Sequence, residues 1–188
     1  FAGAPGEDAA GDGAGAAYRF TVEEPPVEEP INKILGNFAS ADLFGYSLST
    51  DGTRLAIGTP EWAVFPAPLG PVGVGGSGAV HLYVRDETGW VFDQYIANPN
   101  IEGAESRFGA AVAVQGNMLY VGAPDDGAGV VWQFDLIEGV FAALTPDIYA
   151  EVFSFGRALD YDNGVLAVGA DHSVIEGPSN VGKTLIYD

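Results

Sequence analysis

The chain has 188 residues, of which 47% are hydrophobic and 18% charged, and it contains no cysteine. Seven Lys and Arg against 26 Asp and Glu give a net charge of −19, which repels nucleic acids and anionic membrane surfaces. The absence of cysteine excludes disulfides, thiolate metal sites and cysteine nucleophiles, and no apolar run is long enough to predict a membrane span. We therefore expect no nucleic-acid partner and no membrane insertion.

Three segments that align without gaps predict three β-hairpins. They are residues 44–60 (FGYSLSTDGTRLAIGTP), 108–124 (FGAAVAVQGNMLYVGAP) and 155–171 (FGRALDYDNGVLAVGAD). Apolar residues recur at every second position, as Leu55 and Ile57 do, which is the period of a β-strand. The glycine near the middle of each segment favours a hairpin turn.

Further strands complete each unit. A third strand has glycine in third place and an aromatic residue in eighth, at residues 13–20 (GAGAAYRF), 76–83 (GSGAVHLY), 127–134 (GAGVVWQF) and 180–187 (NVGKTLIY). A fourth strand is predicted at residues 90–96 and 140–144, with 31–35 as the candidate equivalent in the first unit. No window shows the apolar spacing and caps of a helix. The sequence therefore predicts an all-β fold of four-stranded antiparallel units, divided as 1–35, 36–99, 100–148 and 149–188.

The last predicted strand overlaps a match to the phosphate-binding pattern G-x-x-x-x-G-K-[ST]. Gly177, Gly182, Lys183 and Thr184 occupy its fixed positions. The pattern binds phosphate only where the loop opens a helix, whose first N–H groups face the ligand. Because Lys183 and Thr184 fall in the repeat register of a strand, we interpret the match as a chance product of the repeat and expect no nucleotide site.

A Phe-Gly pair opens each hairpin, and a Gly-Ala-Pro-like corner closes it. The pairs are Phe44-Gly45, Phe108-Gly109 and Phe155-Gly156. These segments resemble FG-GAP repeats, the blade motifs of the integrin α-subunit β-propeller and its bacterial relatives, and residues 1–5 (FAGAP) resemble the tail of a fourth motif. We expect the three phenylalanines to pack between adjacent blades, and the glycines to allow close approach of the backbones.

The resemblance implies a β-propeller of four-stranded blades, here two full blades flanked by two partial ones. It also implies an extracellular or cell-surface location and a role in adhesion, ligand binding or assembly. Propellers have roughly four to eight blades, so two interpretations remain for the incomplete ring. Either the chain is a fragment of a longer protein, or other chains complete its open edges.

FG-GAP propellers commonly bind Ca²⁺ in the turn between the first two strands of a blade. Here the turns at residues 49–53, 114–117 and 161–164 supply at most two carboxylates each, whereas Ca²⁺ takes six to eight oxygen ligands. We therefore expect no cofactor in these turns. The acidic loop at residues 6–12 (GEDAAGD) leaves two interpretations, a cation site or a solvated charged loop.

Specificity in such folds lies in loops carried by the repeated strands. The loop between the second and third strands is longest at residues 61–75 (EWAVFPAPLGPVGVG), where two aromatic residues favour either recognition of a protein or sugar or a local hydrophobic cover. The corresponding loop is short and acidic in the next unit, and in the last unit we expect an exposed histidine there. The candidate ligand-binding residues are Trp62, Phe65, Asp125, Asp126 and His172.

Catalytic residues are not expected. His81 and His172 are the two histidines, His81 is predicted to be a strand residue, and no nucleophile-elbow motif is present. The predicted function is an extracellular interaction or structural module that binds a protein or glycan through its variable loops or assembles with other chains through open blade edges. The alternatives are a polysaccharide-acting enzyme built on a propeller and a lectin.

Overall fold

A computed structural model describes residues 1–20, 32–35, 42–61, 76–100, 105–139, 141–146, 152–173 and 182–188. These residues form fourteen strands and no helix, in four antiparallel sheets that follow one another along the chain. The predicted all-β class and the four-stranded antiparallel units are confirmed. Within the described residues, no helix has the length and apolarity needed to cross a membrane.

The strands pair in chain order in every sheet. Sheet 1 contains β1 (Ala2–Ala4), β2 (Ala16–Arg19) and β3 (Asn32–Leu35). Sheet 2 contains β4 (Ser47–Thr50), β5 (Arg54–Thr59), β6 (Ala79–Asp86) and β7 (Gly89–Ala97). Sheet 3 contains β8 (Ala111–Gln115), β9 (Met118–Ala123), β10 (Val130–Asp135) and β11 (Phe141–Leu144). Sheet 4 contains β12 (Val152–Asp162), β13 (Val165–Ser173) and β14 (Lys183–Tyr187).

The three predicted hairpins are confirmed with the same internal register. The equivalent apolar pairs across them are Leu48↔Ile57, Val112↔Val121 and Leu159↔Val168. The predicted third and fourth strands also pair antiparallel, as β6 with β7 and β10 with β11 do. Period-two alternation directs one set of apolar side chains to each face of a sheet, so both faces of the inner sheets contribute to the core.

The hydrophobic core lies in three layers between consecutive sheets, which we number interface 1, 2 and 3. Each layer contains the phenylalanine of one Phe-Gly pair with no solvent exposure: Phe44, Phe108 and Phe155. In interface 2, the Phe108 ring meets the Phe134 ring edge to face, with centroids 6.0 Å apart. The prediction that these phenylalanines pack between adjacent sheets is confirmed.

Backbones of consecutive sheets touch at glycines that recur in every interface. A Cβ atom on the glycine of each Gly-Ala-Pro-like corner would overlap the carbonyl oxygen of the next Phe-Gly glycine, in the pairs Gly3–Gly45, Gly58–Gly109 and Gly122–Gly156. A Cβ on the third-place glycine of each third strand would overlap the backbone of the next phenylalanine, in the pairs Gly15–Phe44, Gly78–Phe108 and Gly129–Phe155. We call the first set the corner glycines and the second set the strand glycines. The predicted close backbone approach is confirmed.

The residue before each phenylalanine adopts a left-handed backbone conformation. Leu43, Arg107 and Ser154 have φ of 56°, 55° and 56°, which costs a non-glycine residue about 1–2 kcal/mol. The bend brings the chain back to the preceding sheet, where the Arg107 N–H donates to the Gly76 carbonyl at 3.1 Å. Three different residue types share the conformation, so tertiary contacts impose it.

Candidate functional site

The hairpin turns between first and second strands, where the resemblance would place Ca²⁺, tie neighbouring sheets together. Asp51 Oδ1 accepts from Thr53 N–H at 2.8 Å and Arg54 N–H at 2.7 Å, and Asp51 Oδ2 accepts from Gly116 N–H of the next sheet at 2.8 Å. Burial acts to raise the pKa of Asp51, but hydrogen bonds from Arg54, Thr53 and Gly116 hold it below the usual value. Both carboxylate oxygens are therefore occupied by protein donors.

The next pair of turns is linked in a similar way. Gln115 Oε1 accepts from Asn163 N–H at 2.9 Å, and Gln115 Nε2 donates to Asp162 Oδ1 at 2.8 Å. Asp162 is thus a turn residue whose hydrogen bond holds sheet 4 against sheet 3. Across the described residues, no group of three or more Asp, Glu or His side chains is placed to hold a metal ion.

The acidic loop at residues 6–12 is held by its own donors and by sheet 1. Tyr18 Oη donates to Glu7 Oε2 at 2.6 Å, and Lys33 Nζ lies 3.2 Å from Glu7 Oε1. The hydrogen bonds from Tyr18 and then Lys33 hold the pKa of Glu7 below its usual value. Asp8 Oδ1 accepts from Gly13 N–H at 2.8 Å, so these two carboxylates bind different donors.

A charged cluster occupies the opposite end of interface 2, where the connections between strands meet. Arg107 Nε lies 3.3 Å from Glu61 Oε1, outside hydrogen-bond geometry, and 4.0 Å from Asp125 Oδ2. The Arg107 guanidinium stands 5.1 Å from the centroid of the Tyr46 ring, within cation–π range. Burial acts to lower the pKa of Arg107, but Tyr46, Glu61 and Asp125 outweigh it and raise that pKa. We call these four residues, together with the adjacent Asp126, the Arg107 cluster.

A buried polar network supports the cluster from beneath. Asn98 and Ser106 are almost fully buried, and Asn98 Nδ2 donates to Ser106 Oγ at 2.6 Å. Ser106 Oγ donates to the Ser77 carbonyl at 3.0 Å. Asn98 Oδ1 accepts from Asn100 N–H at 2.9 Å, and Asn100 Nδ2 reaches Asp126 Oδ2 at 3.1 Å. Because buried polar groups that are hydrogen-bonded stay in place, the network fixes the connections that carry the cluster.

The sequence-predicted binding residues divide into two groups. Asp125 and Asp126 lie in the Arg107 cluster, whereas Trp62 and Phe65 lie outside the described residues. The prediction that His172 lies in a loop is wrong for its backbone, which pairs with Phe153 inside β13. Sheet 4 differs from the other sheets because its first strand begins before the Phe-Gly pair and extends the ladder; the His172 side chain is outside the described part.

Sequence reasoning missed the members of the cluster that come from other connections. Glu61 lies against Arg107 from a connection of the preceding sheet, and Asn100 reaches Asp126 across 26 residues of chain, and no local period marks such contacts. One signal was present: the residue before Phe-Gly is leucine, arginine and serine in the three repeats, and only Arg107 is charged.

The last two residues of the phosphate-binding pattern, Lys183 and Thr184, lie on a strand, as predicted. β14 begins at Lys183 and pairs with β13 from Ala170↔Lys183 to Leu166↔Tyr187. Lys183 and Thr184 therefore belong to a ladder rather than to a helix N-terminus. Gly177 lies outside the described residues, Gly182 directly precedes the strand, and the lack of nucleotide binding stays a prediction.

His81, in β6, is fully buried beside interface 1, as expected of a strand residue. Its ring centroid lies 5.5 Å from that of Phe44 and 6.3 Å from that of Phe92. Burial lowers the pKa of His81 to about 4. His81 is thus neutral at pH 7, and its surroundings penalise protonation.

We expect His81→Leu to reduce the loss of stability at acid pH. The unfolded histidine titrates near 6.5, so between pH 6.5 and 4 the unfolded chain binds more protons than the folded one and stability falls as pH falls. Protonation of His81 in the unfolded chain lowers the free energy of unfolding by about 3 kcal/mol at pH 4. Leucine does not titrate, so the variant lacks this pH dependence. Leucine also occupies the equivalent place in β14, as Leu185. Urea unfolding at pH 7, 5.5 and 4 measures the difference; parallel pH dependence in both chains would contradict the assignment.

The class of protein that these observations define is an all-β protein of consecutive antiparallel sheets, joined at glycine-lined interfaces and carrying a charged cluster where their connections meet. No protein-family model matches the chain, and no curated protein sequence matches it. The repeats and geometry of the chain itself therefore carry the functional inference.

Proposed function

We propose that the chain is a segment of a β-propeller of the FG-GAP class, located outside the cell or at its surface, and that it binds a protein or glycan partner at the Arg107 cluster. The repeated interface supports the propeller: each sheet contacts the next through the same corner glycine, strand glycine and phenylalanine. A constant step from sheet to sheet generates a radial or solenoidal array.

The binding proposal rests on one observation: several connections between strands come together and form one charged surface. Glu61 follows β5, Arg107 precedes β8, and Asp125 and Asp126 follow β9, so two neighbouring sheets contribute. The side chains of Glu61 and Asp125 are 39% and 43% exposed, which leaves their carboxylates accessible. Loops on a rigid scaffold are common binding sites, and a prearranged surface loses little conformational entropy on binding.

The negative charge of the Arg107 cluster and of the whole chain indicates the chemistry of the partner. The cluster contains three carboxylates and one guanidinium, with two of the carboxylates within 4.0 Å of Arg107 Nε, and the whole chain carries a net charge of −19. Carboxylates accept hydrogen bonds from sugar hydroxyls and pair with Lys or Arg side chains. A strongly negative field speeds the approach of cationic partners and repels anionic ones.

Selection of ligands from a random-peptide display library and a glycan array tests this proposal. Asp125→Ala removes one carboxylate of the cluster, and the matched control Glu87→Ala removes one exposed carboxylate at the turn after β6. We expect the selected ligands to bind Asp125→Ala at least about tenfold more weakly, as for an interface hot spot, and to bind Glu87→Ala with unchanged affinity. Equal affinity for Asp125→Ala and the parent chain, or cleavage of the arrayed glycans, would overturn the proposal.

A further inference from the structure

Sheet 4 has glycines at the repeat positions of the corner glycines and the strand glycines, but no further sheet among the described residues covers them. Gly169 occupies the repeat position of the corner glycines, and Gly182 that of the strand glycines. The three atoms nearest to a Cβ on Gly169 all belong to Ala158, at 3.2 Å or more, and those nearest to a Cβ on Gly182 belong to Ala170 and Asp171, at 3.4 Å or more. All these neighbours belong to sheet 4 itself.

A cavity lies next to Gly169 and Gly182. Its volume is about 250 Å³, and its walls include Ala158, Gly169, Ala170, Gly182 and Thr184. In interfaces 1, 2 and 3 the corresponding glycines touch the backbone of a Phe-Gly pair. The position of Thr184 is filled by Ala17, Val80 and Val131 in the other sheets, where each residue is buried in an interface.

We infer that this face of sheet 4, which we call the Gly169 socket, binds a polypeptide strand that begins with Phe-Gly. The inference rests on the proposed stacking of repeats, though not on binding at the Arg107 cluster. The phenylalanine of the bound strand packs beside Thr184 and Gly182. The carbonyl oxygen of the glycine that follows it contacts Gly169, as the carbonyl oxygen of Gly156 contacts Gly122. The rim carries the Arg157 and Asp171 ion pair, with Arg157 Nε 3.8 Å from Asp171 Oδ2.

A folded second copy of this chain does not supply such a strand. The sequence contains three Phe-Gly pairs, and the phenylalanine of each is fully buried in its own interface. The occupant is therefore a Phe-Gly strand additional to those three. Only a strand whose residue before phenylalanine accepts the left-handed conformation fits the pattern, since Leu43, Arg107 and Ser154 all adopt it.

A synthetic peptide of residues 105–116 (ESRFGAAVAVQG), taken from the second repeat, is the probe for the socket. Its binding is measured by fluorescence anisotropy, and its location by hydrogen exchange of residues 157–171 and 183–187. We expect saturable binding with protection of these segments. We expect the Phe108→Ala peptide to bind at least about tenfold more weakly, because the ring that fills the cavity is missing.

Gly182→Ala is the matched change in the protein. Gly182 lies outside the left-handed region, and its Cβ has ordinary contacts, so this variant is expected to fold normally while its methyl group blocks the incoming backbone. We expect at least about tenfold weaker peptide binding in Gly182→Ala, whereas Gly6→Ala, which adds a methyl group in open space, binds as the parent does. A circular dichroism spectrum identical to that of the parent establishes that Gly182→Ala is folded.

Four outcomes would overturn the inference: no saturable binding of the parent peptide, equal binding by the Phe108→Ala peptide, equal binding by Gly182→Ala, or protection of other segments. Self-association of the chain that is lost in Gly182→Ala, without peptide binding, would assign the face to a second copy instead. Ligands selected at the Arg107 cluster are titrated separately on the parent chain, so failure of the socket and failure of the proposed function are told apart.

Discussion

Phe108→Ala is expected to lower the free energy of unfolding by about 3–5 kcal/mol, the usual cost of truncating a buried phenylalanine. Phe108 has no solvent exposure and packs in interface 2 with residues from sheets 2 and 3, including Val80, Val121 and Phe134. Its removal leaves a cavity between two sheets whose backbones are already in contact and cannot close further. Urea denaturation followed by circular dichroism measures the change.

Phe153→Ala is the matched control for this prediction. Phe153 lies two residues before Phe155 on β12, and its side chain is 49% exposed. Because only part of its apolar surface leaves water on folding, we expect less than half of the loss seen for Phe108→Ala. Equal losses for the two variants would place Phe108 outside a packed interface.

Gly122→Ala is expected to cost about 3 kcal/mol, near the upper end for overpacking. Its new Cβ would overlap the carbonyl oxygen of Gly156 and press on the carbonyl carbon and Cα of the same residue. These are backbone atoms of the next sheet, so the strain is relieved only by moving sheet 4 away from sheet 3. We expect faster hydrogen exchange in β12 and β13 together with the loss of stability.

Gly6→Ala separates this effect from the general cost of replacing glycine. A methyl group on Gly6 would point into open space, with no atom beyond its chain neighbours within 4 Å, and its φ is not left-handed. Its replacement is therefore expected to change stability by less than about 0.5 kcal/mol. A Gly122→Ala variant as stable as Gly6→Ala, with unchanged exchange in β12, would show that sheets 3 and 4 do not touch at this glycine.

The strands and hairpins were predictable because their signals are local. Alternating apolar residues and a central turn glycine lie within each hairpin, and the same pattern recurs three times. The burial of Phe44, Phe108 and Phe155 followed from the same repetition, since a phenylalanine that recurs at a fixed position in each repeat is expected to meet the same neighbour each time.

The candidate site was predictable only in part because its contacts are long-range. Asp125 and Asp126 were found as the acidic residues of a variable loop, but their partners Arg107 and Asn100 come from another connection and carry no periodic signal. The left-handed conformation of Leu43 was equally hidden, since leucine gives no local preference for it. Tertiary contacts decide both features.

The same limit explains the error at His172. In sheets 2 and 3 the first strand begins three residues after phenylalanine, at Ser47 and Ala111, but β12 begins three residues before Phe155. This early start extends the ladder with β13 through Ser173. Alignment of the repeats predicts strands of equal length in every repeat, so it does not predict that β12 and β13 are longer than their equivalents.

Cysteine cross-linking between neighbouring turns tests the stacking of the sheets most directly. The chain has no cysteine, so Gln115→Cys with Asp162→Cys introduces two defined thiols at side chains that touch across sheets 3 and 4. The control pair, Gln115→Cys with Asp126→Cys, is closer in sequence, but Gln115 pairs with Met118 at the start of β9 and Asp126 follows the end of β9, a separation of about 17 Å at the rise of a strand. If the sheets are stacked, a short bifunctional thiol-reactive cross-linker joins the first pair rapidly within one molecule and does not join the second pair. A first pair that reacts no faster than the control would contradict the stacking.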